Sequence, residues 1–130
     1  LRSQREQLLL VTASGEEGIV GSALFLFDDR RLFGRYWGAL EAIDCLHFEA
    51  CYYRGIDYCI EHGLKLFEPG AQGEHKIARG FVPQITRSAH WLTQDFLRDP
   101  IEHFIEHERQ AVLHYKQQMD ASVPYRKDIT

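Results

Sequence analysis

No apolar run in this chain approaches the roughly 20 residues needed to cross a bilayer, and the opening L-R-S-Q-R-E-Q lacks the hydrophobic stretch of a secretory signal. Net positive charge is absent as well: 15 basic against 19 acidic residues leave a formal charge of −4. Such a surface has no general attraction for DNA, RNA or an anionic membrane, so any contact with a polyanion must be local. Cysteine is scarce. Cys45, Cys51 and Cys59 form an odd set without a C-x-x-C pair, which is neither a zinc site nor a disulfide framework and fits a reducing cytoplasm. Internal repeats, low-complexity tracts and linkers are missing too.

What remains is an ordinary globular composition. Hydrophobic residues make up 45% and aromatics 12% of 130 residues, enough for one domain with a proper core. The chain opens without methionine, on a polar segment running into Leu8-Leu9-Leu10-Val11. We therefore expect residues 1–130 to be a single domain and the C-terminal part of a longer protein. A sheet face left bare in such a piece would invite a homodimer.

Gln7 to Ala13, Ile19 to Phe27 and Leu32 to Trp37 read as three strands joined by short turns at Ser14–Gly18 and Asp28–Arg31, an antiparallel meander. The middle strand is apolar on both alternating faces, as a central strand covered on each side would be. The period then changes. Phe48, Tyr52, Ile56, Cys59 and Ile60 recur at helical spacing, predicting a helix from about Leu46 to His62, with Asp44 as N-cap and Gly63 ending it. Leu64 to Phe67 would be a strand parallel to a neighbour after that crossover. Gly73 to Ala78 reads as a short helix, and Phe81 to Leu92 as a further strand or bent pair with Pro83 at an edge or bulge. A last helix spans about Asp99 to Met119, with Pro100 in its first turn. The fold class is α+β, with one mixed sheet.

The chemistry gathers in F-E-P-G-A-Q-G-E-H-K-I-A-R-G-F, residues Phe67 to Phe81. On a short helix Lys76 and Arg79 share a face, with His75 on its flank. Gly70 and Gly73 let backbone approach a ligand, and N–H groups at a helix start attract anions. Arg79 adds a planar fork suited to phosphate or carboxylate. The competing reading is a solvated turn whose glycines only satisfy backbone geometry. The G-K-[ST] ending of a P-loop is absent. Glu68 and Glu74 are the nearest carboxylates, either able to take a proton from an amine nucleophile; a salt bridge to Lys76 or Arg79 is the alternative for Glu74. Gln72 could orient an amide or carbonyl, or simply close the turn.

Two other segments compete. In G-R-Y-W-G, Gly34 to Gly38, Arg35 could present a guanidinium at a strand end while Trp37 packs inward. His47 lies where a substrate-facing side chain would sit near the helix start, Glu49 on the helix surface and Tyr52 in its apolar stripe. His103 and His107 form an H-x-x-x-H pair with Glu102, Glu106 and Glu108 beside it. That spacing puts two imidazoles on one face, as a metal site could want. The glutamate that follows the first histidine in a zinc protease is missing, and a wet outer face is the better reading, so no metal is expected.

The runs L-F-G-R-Y-W-G, H-F-E-A-C-Y-Y-R-G-I-D-Y-C-I-E-H-G and F-E-P-G-A-Q-G-E-H-K-I-A-R-G-F-V-P closely resemble the bacterial Fem-like proteins of the acyl-CoA N-acyltransferase (GNAT) superfamily. The likeness covers about Leu8 to Leu92. It implies a GNAT-like, mostly antiparallel sheet flanked by helices, present here as an incomplete copy. It also implies transfer of an acyl or aminoacyl group to the amine of a cell-wall precursor. Lys76 through Phe81 is similar to the K-x-x-[FY]-x-x-G-F element of Fem transferases with altered spacing, and a clean copy of the GNAT pyrophosphate loop is not present. The donor implied is an acyl-CoA or an aminoacyl-tRNA. Glu68 or His75 would transfer the proton, and Lys76 and Arg79, with Arg35, Gln72 and Glu74, would hold substrate. A non-catalytic anion-binding module of the same fold is the alternative, and a metalloprotein using His103 and His107 a third.

Overall fold

A computed structural model of the chain describes residues 6–70 and 73–125. The chain divides into two compact units, Leu1–Ala71 and Gln72–Thr130.

The first unit is a four-stranded sheet in the order β1-β2-β3-β4 with a helical layer on one face. Strands β1 (Leu8–Gly15), β2 (Gly18–Phe27) and β3 (Arg31–Ala39) form the predicted antiparallel meander. The turn into β3 is built by Asp28, whose carboxylate accepts the backbone N–H groups of Arg30 and Arg31 at 2.9 and 2.7 Å. Those bonds, that of Arg30 first, hold the Asp28 carboxyl below its usual range, and the Arg31 guanidinium adds to them. β2 is central, yet only one of its faces is fully covered. Gly21, Ala23 and Phe25 are buried, whereas Ser22, Leu24 and Leu26 on the other face are half-buried.

The helical run is not the single α-helix predicted. A first turn, α1 (Leu46–Phe48), leads into a π-helical segment (Glu49–Tyr53) and then α2 (Arg54–Glu61). Its N-cap is Cys45 in the left-handed region at φ 62°, not Asp44, and no side chain caps it. The far end agrees with expectation. Gly63 takes φ 67°, and the Leu64 and Gly63 N–H groups bond the Cys59 and Ile60 carbonyls at 2.9 and 3.3 Å, a Schellman closure. The chain then enters β4 (Leu66–Glu68), which pairs parallel with β3 as expected. Ala23, Phe25, Leu32, Ala50 and Cys59 make the core, with Leu9, Val11, Trp37 and Phe67 packed around it. Gly55 brings α2 onto the sheet: a Cβ there would stand 2.6 Å from the Phe67 ring.

The second unit holds a six-residue 3-10 helix (Glu74–Arg79) and the 27-residue helix α3 (Asp95–Ala121). Two expectations are corrected here. Residues 81–92 make no ladder with any described strand, so the alternating apolar pattern there is not a strand. Helix α3 starts at Asp95, a turn earlier than predicted, so Pro100 lies inside it and removes one backbone donor. No described helix is long and apolar enough to cross a membrane.

Candidate functional site

The described part of the segment that drew attention in the sequence is the end of β4 and, in the second unit, a 3-10 helix flanked by Gly73 and Gly80. Gly70 and Gly73 sit at φ 96° and 107° and Gly80 at 88°, conformations that side-chain-bearing residues rarely take. Lys76 and Arg79 fall on the same side of the 3-10 helix, where residues three apart eclipse. They are not spread outward on a wet surface. Lys76 is buried at 9% exposure, and Arg79 is half-buried, its guanidinium donating to the His75 carbonyl at 2.8 Å. A buried ammonium is costly unless it is matched by polar groups.

Glu74 does not bridge to either cation. Its carboxylate accepts the Tyr115 hydroxyl of α3 at 2.7 Å, a contact that ties the turn to the long helix. The hydrogen bond to Glu74, with its negative charge, raises the Tyr115 phenol above its ordinary value. The His75 side chain is exposed. Gln72 lies outside the described residues.

The other two candidates, Arg35 and Glu68, belong to the first unit, on the sheet face turned away from the helices. Between Leu24 and Phe25 the register with β3 shifts. Leu24 pairs with Tyr36 and Phe25 with Gly34, so Arg35 is the extra residue of a β-bulge. Its guanidinium lies over the Phe33 ring at 5.6 Å from the centroid, and that of Arg31 lies over the same ring at 5.0 Å. Glu68 pairs in register with Phe33 and stands 4.0 Å from Arg31, both side chains about half exposed. Arg35 and Glu68 thus share one small cluster centred on Phe33. Arg31, Phe33 and Tyr115 were missed. The first two had a signal, because R-L-F-G-R spaces Arg31, Phe33 and Arg35 two apart along a strand.

His47 lies among rings, its centroid 5.6 Å from Trp37, 5.5 Å from Phe48 and 5.3 Å from Tyr52. It is the one histidine among the described residues that is not exposed. His103 and His107 sit edge to face at 5.3 Å on α3, both exposed. No described group of three or more His, Cys, Asp or Glu side chains could hold a metal ion. Cys45, Cys51 and Cys59 form no disulfide among the described residues, and burial pushes the Cys59 thiol up.

The chain belongs to the FemAB-like family, described as peptidoglycan biosynthesis/recognition, whose profile matches residues 1–127. No curated protein and no solved structure matches it.

Proposed function

We propose that the chain is part of an N-acyltransferase that moves an acyl or aminoacyl group from an activated donor to the amine of a cell-wall precursor. The observation that carries this reading is the burial of Lys76 on the glycine-bounded turn, beside Arg79 and His75, in a member of a peptidoglycan biosynthesis/recognition family. Acyl-CoA and aminoacyl-tRNA, the two donors in question, both carry phosphate, and Lys76 and Arg79 would bind it through charge-assisted hydrogen bonds. The fold in this reading is GNAT-like, the antiparallel meander followed by a helical crossover to the parallel β4 being the part in view. The cytoplasm, where such donors are made, would be the place of action.

In the reaction the acceptor nitrogen attacks the ester or thioester carbonyl, a base takes its proton, and the alcohol or thiol leaves with a proton as the amide forms. Glu68 and His75 are the proposed bases, both exposed and able to exchange protons with solvent. Glu74, held by Tyr115, would position the turn, and Arg35 and Gln72 would hold substrate.

Incubating the full chain with labelled acyl-CoA or charged tRNA and amine acceptors tests the proposal. Turnover that falls with Lys76→Ala or Arg79→Ala supports it, and no transfer from either donor counts against it. The family description covers recognition as well as biosynthesis, which favours a second reading, a non-catalytic module that binds the same anion. Calorimetry showing saturable binding of a phosphorylated ligand without turnover would select that one.

A further inference from the structure

The outer face of the first unit's sheet is apolar and open. Leu8 pairs with Leu26, Leu10 with Leu24, and Leu24 in turn with Tyr36, so these side chains share that face with Phe33. Leu10 and Tyr36 are 59% and 75% exposed. Into this surface the bulge places Arg35, which has no carboxylate within ion-pair distance among the described residues, whereas Arg31 is bonded to Asp28 at 3.0 Å. Glu68, paired in register with Phe33 on β4, has the 4.0 Å contact with Arg31 as its ion pair among the described residues.

We propose that the face around Phe33 binds an amino acid or short peptide carrying a free carboxylate, a free ammonium and an apolar side chain. The planar guanidinium of Arg35 takes the carboxylate through two parallel hydrogen bonds. Glu68 takes the ammonium and repels a second acidic group, so a dianion fits less well than a zwitterion. Phe33, Tyr36 and Leu24 cover the apolar side chain. Arg35 and Glu68 both neighbour Phe33, the Arg35 cation 5.6 Å from its ring centroid and Glu68 in register with it on β4, so the two charges serve opposite ends of one ligand. The site rests on the acceptor side of the proposed transfer reaction. Its test reads binding alone, with no donor present, so a bound peptide without turnover and turnover without a bound peptide are separate results.

The test titrates the full chain with L-alanyl-L-phenylalanine, with its N-acetyl form and with its C-terminal amide, following backbone amide shifts by NMR. The free dipeptide is expected to bind about tenfold tighter than either blocked form, with shifts at Phe33, Arg35 and Tyr36. Arg35→Gln should bring the dipeptide down to the affinity of its amide, and Glu68→Gln to that of the acetylated form. An amide spectrum unchanged elsewhere shows that each exposed variant still folds. Equal affinity for the three probes, no binding at the solubility limit, or shifts confined to residues 74–80 would overturn the proposal.

Discussion

In the first unit the buried described residues are Gly21, Ala23, Phe25, Leu32, Ala50, Tyr52, Gly55 and Cys59; among the described residues of the second unit Lys76 alone is buried. The first list is what a sheet and helix bury when they are held by their own apolar contacts. The second has no such core. Its turn is fixed by hydrogen bonds, from Tyr115 to Glu74 and from Arg79 to the His75 carbonyl, and its long helix buries no residue. Substitutions in the core of the first region should therefore register as stability, and those on the turn of the second as donor binding.

The sharpest way to break that contrast is Phe25→Ala. Phe25 is 1% exposed, and emptying such a site costs about 3–5 kcal/mol, enough to abolish cooperative unfolding of the first unit in denaturant. Survival of a normal transition would mean that the core lies elsewhere. Gly55→Ala comes next. The new methyl meets the Phe67 ring, and overpacking of about 1–3 kcal/mol outweighs the gain in helix propensity of about 1 kcal/mol. A midpoint shifted to lower denaturant is the expected result; an upward shift would mean that the ring moves aside freely.

Lys76→Met and Arg79→Gln should each weaken binding of a phosphorylated donor about tenfold, roughly 1.4 kcal/mol, while the unfolding transition of the first unit stays where it was. Parallel loss of both would erase the distinction between the regions. The smallest effect is Tyr115→Phe, which frees Glu74 and should show as faster amide exchange in residues 73–80. The pH dependence has a definite sign. Because the folded Tyr115 phenol is raised above its ordinary value of 10.0, its hydrogen bond is intact below that value and is lost as pH climbs through the raised one. Absorbance titration should find a late-ionising component in the wild type that is lost in Tyr115→Phe.

The meander, the crossover to β4 and the Gly63 stop were legible because each rests on local periodicity or on backbone geometry that glycine announces. The bulge at Arg35 and the π-helical segment at Glu49–Tyr53 were not. A single extra residue shifts the phase of the side chains beyond it, but whether a bulge absorbs that shift is decided with the partner strand and not by the segment alone. Residues 81–92 alternate like a strand but meet no partner, and a ladder is a property of two segments. Pro100 was read as a helix start because that is where proline is most often found; the helix instead tolerates it in its second turn. Of the site, the residue types around the glycine-rich turn were visible, but the burial of Lys76 was not, since lysine is almost never fully buried. Nor could the sequence say that Arg35 and Glu68 would both neighbour Phe33, because β3 and β4 are joined only by the crossover.

The bulge in β3 has a consequence for how that strand tolerates shortening. Gly34 and Trp37 face the core and Tyr36 faces outward, so excising Arg35 would leave a strand of ordinary alternation with every neighbour still on its own side. The arginine is thus a removable part. A deletion that spares the hydrophobic architecture while silencing recognition would separate, in one experiment, what this strand does for shape from what it does for chemistry.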